Sequence, residues 1–194
     1  KFFIKPFKKL IPDVPNKRSS HNIIKPRGAG LAFILTNLIA SYIFEDVNFV
    51  FLLPLCLVGL ADDFLDISRW FRFFIQLTTS IFILFNSSYF ILIQSTNNFI
   101  IEFFLITFIV FVSTGIINFC NFMDGIDGIL SGSILTICFF ASFLLSNSLW
   151  GLIGALMGFI FWNWQPSKIF MGDVGSNFIG GILIWIFLNT NSIN

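Results

Sequence analysis

The chain has 194 residues and a net charge of +1, with 56% hydrophobic and 11% charged residues and a mean hydropathy of +0.89. A soluble domain carries about 25% charged residues, so this chain has too few polar side chains to cover its surface in water. Its apolar residues form many long runs, which excludes a soluble protein with a single cleavable signal peptide. The composition therefore predicts an all-α, multi-span membrane protein.

The N-terminal 28 residues carry most of the positive charge. Eight of the eleven Lys and Arg residues lie there: Lys1, Lys5, Lys8, Lys9, Lys17, Arg18, Lys25 and Arg27. Because cytoplasmic segments of membrane proteins are rich in Lys and Arg, residues 1–28 are predicted to form a cytoplasmic basic segment. Residues 29–194 are predicted to form one transmembrane catalytic domain.

Seven apolar segments are candidates for helical spans, which need about 20 mostly apolar residues. They cover residues 29–44, 47–61, 71–93, 99–119, 128–146, 149–164 and 176–190. The second is short and contains Pro54, and the third is interrupted by Asn86, Ser87 and Ser88. The sequence thus predicts a polytopic transmembrane helical bundle with about seven spans.

Seven alternating crossings would bring three polar segments, near residues 62–70, 120–127 and 165–175, to the same face as the basic N-terminus. The remaining basic residues, Arg69, Arg72 and Lys168, fall in or beside these segments. Six of the ten acids also fall there: Asp62, Asp63, Asp66, Asp124, Asp127 and Asp173. Since ionisable groups near a bilayer are costly, this gathering predicts one functional site at the cytoplasmic face.

The first acidic cluster follows the second predicted span. If it is helical, Asp62 and Asp66 share a face, and Asp63 points about 100° away. Adjacent acids repel each other, so a nearby cation is their natural partner. Side chains suited to phosphate follow at spacings of three and four: Arg69, Arg72 and Gln76. The alternative interpretation is a polar helix end at the membrane surface.

The second cluster repeats a polar residue every three positions: Asn118, Asn121, Asp124 and Asp127. Gly125 and Gly128 would let a ligand or another helix approach the backbone closely. Amide and carboxylate oxygens together suit a hard cation, or the edge of a sugar or ribose. The alternative is a packed loop whose polar side chains cap helix ends.

The third cluster, Gly172-Asp173-Val174-Gly175-Ser176, opens the last apolar segment. Gly and Ser at a helix N-terminus would offer free N–H groups to an anion, and Asp173 could hold a bridging metal ion. The alternative is a simple N-cap by Asp173 or Ser176.

Together the clusters predict Mg²⁺-dependent chemistry on a phosphate or diphosphate, with Mn²⁺ as an alternative ion. His21 is the single histidine, which excludes a His-rich metal site, and we expect it to contact phosphate or remain a polar loop residue. Cys56, Cys120 and Cys138 lack metal-ligand spacing and are predicted to be small buried apolar residues.

Four ordered segments resemble the family-4 glycosyltransferases, the polyprenyl-phosphate N-acetylhexosamine-1-phosphate transferases. These segments span nearly the whole chain: Asp13 to His21 with Pro26 to Gly30, Asp62-Asp63, Asn118 to Gly128, and Phe170 to Ser176. The Pro26-Arg27-Gly28 segment resembles the branch acting on simple UDP-sugars more than the phospho-N-acetylmuramoyl-pentapeptide transferases.

The resemblance implies a UDP-N-acetylhexosamine donor, a polyprenyl phosphate acceptor such as undecaprenyl phosphate, and UMP as the by-product. Asp173 would ligate Mg²⁺, and Asp62, assisted by Asp63, would activate the lipid phosphate. The remaining residues would bind substrate: Asn118, Asn121, Asp124, Asp127, Arg72, Arg27 and His21.

By the same resemblance, the protein would be a multi-pass enzyme of the bacterial inner membrane, active at the cytoplasmic face in cell-envelope glycan synthesis. A homodimer is plausible, and no nucleic-acid partner is expected. Family members carry one more span before the region matched here, and further spans with a basic, histidine-bearing loop after it. We therefore expect the chain to be a fragment, incomplete at both ends relative to the family.

Three other functions compete with this interpretation. A membrane prenyltransferase also uses Asp-rich motifs, but the Asn-rich second cluster and the Gly-Asp-Val-Gly-Ser segment would then be unexplained. A CDP-alcohol phosphotransferase usually has Ala-Arg after its Asp-Gly, whereas Ile129-Leu130 follow Gly128 here. A transporter would place charges near the middle of its spans, whereas these acids lie at span ends.

Overall fold

The computed structural model describes residues 12–13, 24–47, 49–65 and 67–190. Most of them are helical, in eight α-helices and one 3-10 helix. The helices are α1 Gly30–Ile43, α2 Leu53–Leu65, α3 Arg69–Phe85, α4 Ser88–Gln94, α5 Phe99–Met123, α6 Ile129–Leu144, α7 Leu149–Asn163 and α8 Gly172–Asn189, with the 3-10 helix at Phe49–Leu52. His21 and Asp66 lie outside the described residues.

Each of the seven predicted segments coincides with a helix or a helix pair, so the all-helical class is confirmed. Within the described residues, α5 and α8 are long and apolar enough to cross a membrane alone, and α3 with α4 would make a third span. That pair is bent by 73° at the predicted Asn86–Ser88 interruption. The apolar helices α1, α6 and α7 have only 14, 16 and 15 residues, short of the usual span length of about 20.

Helix α8 lies at the centre of the bundle and packs against α1, α2, α3 and α5. Its most apolar window is 78% buried, against 22% for α5. The mean hydropathy of α8 is nevertheless only 1.2, compared with 2.5 for α5. Its polar residues Asp173, Asn177 and Asn189 lower that value. Its small residues permit close packing: a Cβ at Gly180 would lie 2.9 Å from the Cα of Ile117 in α5.

The helices alternate in direction when the bent α3–α4 pair is counted as one, which sorts the polar loops to two ends of the bundle. At one end, Asp46 accepts hydrogen bonds from the Ser146 hydroxyl (3.0 Å) and the Asn147 N–H (2.6 Å). At that same end the hydroxyl of Ser88, the first residue of α4, donates to the Leu188 carbonyl at 3.1 Å. The predicted acidic clusters lie at the other end.

The described part of the basic segment runs beside the loop that precedes α8. Two short strands, β1 Pro12–Asp13 and β2 Lys25–Pro26, pair antiparallel. The Pro26 carbonyl accepts the Phe170 N–H at 2.9 Å, and the Gly30 N–H donates to the Met171 carbonyl at 3.0 Å. This pairing holds Arg27 next to the start of α8.

Candidate active site

Arg72 joins two of the three predicted acidic clusters. It lies in the first turn of α3, and its Nη1 donates to Asp62 Oδ2, at the end of α2, and to Asp173 Oδ2, at the start of α8, the latter at 3.1 Å. The three side chains are partly buried, with exposed fractions of 27%, 12% and 21%. The predicted gathering of Asp62, Arg72 and Asp173 is therefore present in the structure.

Asp63 points to different partners from its neighbour, as the helical spacing predicted. Its side chain is fully buried, and it accepts the backbone N–H groups of Asp173 (3.1 Å) and Val174 (3.3 Å). Arg27 Nη1 lies 3.6 Å from Asp63 Oδ1. A carboxylate of the chain therefore already occupies the N–H groups of Asp173 and Val174, and anion binding by the glycine and serine N–H groups at this helix start stays a prediction.

The second cluster reaches the same site from α5. The Asn121 side chain interacts with the Asp173 carboxylate, and Asp124, directly after α5, faces Asp173, Arg27 and the Gly172 N–H. Burial raises the pKa of the Asp124 carboxyl well above its ordinary range, and the neighbouring Asp173 charge raises it further. The Arg27 charge and the Gly172 N–H partly offset this rise.

Asn118 lies one turn deeper than Asn121. Its amide donates to Gln76 Oε1 of α3 at 2.8 Å and to the Thr114 carbonyl at 2.9 Å. It thereby links α5 to α3 beneath Arg72.

Asp127 departs from the three-residue repeat. Helix α5 ends at Met123, so Asp127 lies in the following turn, and its carboxylate accepts the Ser167 N–H at 3.0 Å. It holds the loop between α7 and α8, the kind of packed-loop contact that was the alternative interpretation. A substrate role for Asp127 stays a prediction.

Asn163, at the end of α7, was not predicted from the sequence. It is buried, its Oδ1 accepts the Gly128 N–H at 3.0 Å, and its Nδ2 donates to the Ile169 carbonyl at 3.1 Å. It joins the turn after α5 to the loop before α8. The available signal was an amide at the end of an otherwise apolar run, directly before Trp164.

A cavity of about 450 Å³ opens beside Arg72. Its lining combines cationic and amide groups with two aromatic rings: Arg69, Trp70, Arg72, Phe73, Gln76 and Asn118. Trp70 is 83% exposed. An anionic headgroup would match the arginines, and an apolar chain would match the rings.

The carboxylates around Asp173 are too few for a metal site made of protein ligands alone, but their number is typical of a magnesium site that is completed by substrate phosphate. Within the described residues, no three His, Cys, Asp or Glu side chains are placed to hold one ion together. Mg²⁺ is usually bound by one or two carboxylates plus phosphate oxygens. Asp173 and the neighbouring Asp62 could supply one or two such carboxylates, and magnesium binding stays a prediction.

The fold and site define a helical membrane protein whose acidic, arginine-containing site is built from separate helix ends. The chain belongs to glycosyl transferase family 4, whose family model matches residues 47–191. The family expected from the four sequence segments is thereby confirmed.

Curated relatives match most of this chain. It is 33% identical to the undecaprenyl-phosphate alpha-N-acetylglucosaminyl 1-phosphate transferase of Thermotoga maritima, over 88% of the chain and 54% of the relative. A probable undecaprenyl-phosphate N-acetylglucosaminyl 1-phosphate transferase of Bacillus subtilis is 32% identical, over 87% and 52%. The phospho-N-acetylmuramoyl-pentapeptide-transferase of Caldanaerobacter subterraneus is 32% identical, over 85% and 61%.

The chain spans about half the length of the first two relatives. The two branches match it at nearly equal identity, so the predicted preference for simple UDP-sugars stays a prediction.

Proposed function

We propose that this protein transfers an N-acetylhexosamine 1-phosphate from a UDP-sugar to a polyprenyl phosphate and releases UMP. The observation that carries the proposal is the contact of Arg72 with both Asp62 and Asp173, in a member of glycosyl transferase family 4. A prenyltransferase or a transporter has no comparable support.

The acceptor would bind in the cavity beside Arg72. Its phosphate would lie against Arg69 and Arg72, and its prenyl chain would pass over Trp70 and Phe73 toward the bilayer. Asp62 would take the proton, if one is present, from the acceptor phosphate, because it contacts Arg72, which lines this cavity.

In the reaction, an oxygen of the lipid phosphate forms a bond to the β-phosphorus of the donor. The bond between that phosphorus and the bridging oxygen breaks, and UMP leaves with the electron pair. Mg²⁺ held by Asp173 would neutralise the charge on the diphosphate. Asn121 and Asp124 would orient the donor, because both side chains face Asp173.

The charge pattern supports the proposed membrane arrangement. The basic N-terminal segment would place the site at the cytoplasmic face of a bacterial inner membrane. The shorter helices would then complete about seven crossings, with the bent α3–α4 pair as one of them. The proposed role is in cell-envelope glycan synthesis, and a homodimer remains part of the proposal.

The test measures UMP release by the protein in lipid nanodiscs, with undecaprenyl phosphate and a panel of UDP-sugars, with and without Mg²⁺. We expect lipid-dependent, Mg²⁺-dependent release that is lost in Asp173→Asn. Glu102→Gln, a carboxylate in the first turn of α5 at the opposite end of the bundle, is the matched control and should keep activity. No release from any donor by a folded preparation would contradict the proposal.

A further inference from the structure

The N-terminus of α8 lacks a cap from its own residues. Its N-cap residue, Met171, makes no side-chain hydrogen bond to the first turn. The first N–H groups of a helix have no partner within the helix and are normally satisfied by a side-chain oxygen at that end. Asp173 and Val174 are the second and third residues of α8, and theirs are the N–H groups that an N-cap side chain would normally accept.

Asp63 supplies this cap from another helix. Its two carboxylate oxygens accept one N–H each, from Asp173 at 3.1 Å and from Val174 at 3.3 Å. Its side chain is fully buried, and Arg27 lies on its other side at 3.6 Å. Both oxygens are therefore already engaged by α8 and Arg27.

The backbone around this contact is shaped to receive the carboxylate. Gly172 has φ +76°, and a Cβ there would lie 2.6 Å from Asp63 Oδ2. One turn back along α2, a Cβ at Gly59 would lie 2.5 Å from the Asp173 carbonyl oxygen. Glycine at both positions lets α2 approach α8 closely enough for Asp63 to reach the helix end.

We propose that Asp63 is a positioning residue that caps α8 from α2 and thereby fixes the direction of the Asp173 carboxylate, while exchanging no proton with substrate. The proposal rests on the proposed function for its link to activity. It replaces the assisting role in activation that the sequence resemblance implied, and it leaves Asp62 as the acid that faces Arg72. Asp62 and Asp63 then have separate roles, because their side chains point in directions about 100° apart on α2.

Asp63→Asn and Asp63→Ala separate capping from acid–base chemistry. Asn has one acceptor oxygen, so it keeps one of the two N–H contacts but cannot take up a proton at neutral pH, whereas Ala keeps no contact and takes up no proton. Hydrogen exchange of the first turn of α8, measured in nanodiscs, should rise about tenfold in Asp63→Ala and less in Asp63→Asn. Glu102→Gln, in the first turn of α5 at the opposite end of the bundle, is the matched control and should leave this exchange unchanged.

Activity supplies the second measurement. We expect UMP release by Asp63→Asn to stay within about tenfold of wild type with an unchanged pH profile, and Asp63→Ala to fall about a hundredfold or more. Equal inactivity of the two variants would overturn the proposal, as would unchanged α8 exchange in Asp63→Ala. If the wild-type protein released no UMP, the proposed function would fail, and the exchange measurement would still decide whether Asp63 is the cap.

Discussion

Arg72 and Asp173 form an ion pair at 3.1 Å although they lie 101 positions apart in the chain. The same guanidinium nitrogen also contacts Asp62. A single cation thus holds the end of α2, the start of α3 and the start of α8 together at the centre of the proposed site.

Replacing Arg72 should therefore cost both activity and stability. Arg72→Ala would leave two partly buried carboxylates without their cation, and we expect a loss of about 1–2 kcal/mol in the free energy of unfolding. Arg72→Lys keeps the charge but loses the planar donor geometry, so it should recover stability better than activity. Thermal denaturation in nanodiscs and UMP release measure the two effects, and an unchanged activity in Arg72→Ala would contradict the assignment.

Gly59→Ala tests the close approach of α2 to α8. The new methyl group would lie 2.5 Å from the Asp173 carbonyl oxygen and 2.8 Å from Asn177 Nδ2, so the helices must separate. Such overpacking costs about 1–3 kcal/mol of stability. Gly154→Ala in α7 is the matched control: no atom lies within 4 Å of its added Cβ, and it should be neutral or stabilising by about 0.5–1 kcal/mol. Equal melting temperatures for the two variants would rule out the tight crossing.

Asn163→Leu should destabilise the loops that flank the site. The substitution removes the acceptor for the Gly128 N–H and the donor to the Ile169 carbonyl, and leaves both backbone groups without that partner. The Ser131 hydroxyl also loses its contact with Asn163 Oδ1 at 3.4 Å. These two or three hydrogen bonds at about 1 kcal/mol each predict a loss of about 2–3 kcal/mol. Asn163→Asp keeps the acceptor but not the donor, so its melting temperature should fall between those of wild type and Asn163→Leu.

The Asp46 contact at the opposite end predicts a pH-dependent stability. Although burial raises the pKa of Asp46, hydrogen bonds from Val47 N–H, Ser146 and Asn147 outweigh it and lower the pKa below its ordinary value. A lowered folded-state pKa gives stability that is present above the unfolded pKa of about 3.9 and is lost as pH falls through the folded pKa.

Asp46→Asn should therefore melt below wild type at pH 6, and the difference should shrink as the pH falls below about 4. Melting curves from pH 3 to 7 would show this. A difference that stays constant over the whole range would mean that the carboxylate charge is not the source.

Trp70 tests the acceptor cavity. Trp70→Ala should raise the KM for the polyprenyl phosphate several-fold and leave the KM for the UDP-sugar unchanged, because the ring lines the apolar part of that cavity. Phe161→Ala, another exposed ring but on α7, is the matched control. A parallel rise in both KM values would instead indicate a general disturbance of the site.

The helices of the fold could be predicted from hydropathy alone. Each apolar segment became a helix, and the Asn86–Ser88 interruption became the bend between α3 and α4, because three polar residues in a row favour a break. The alternation of helix direction then brought Asp62, Arg72, Asp124 and Asp173 together, as charge sorting had predicted.

The hydrogen-bond partners of individual side chains could not be predicted from the sequence. The helical repeat of the second cluster ends with α5 at Met123, so Asp127 contacts the loop at Ser167 instead of continuing the repeat. The capping of α8 by Asp63 depends on how closely two helices approach, which sequence spacing within one helix does not encode. Asn163 was missed because its partners are backbone groups of two distant loops.

In the proposed reaction, the β-phosphorus of the donor moves to the lipid. The most direct measurement uses a UDP-sugar labelled with ³²P at the β-position, undecaprenyl phosphate and the protein in nanodiscs. We predict that the label appears in the lipid fraction with release of unlabelled UMP, and that Asp173→Asn transfers none. Label that remains in the aqueous phase as UDP while the sugar moves to the lipid would contradict sugar 1-phosphate transfer.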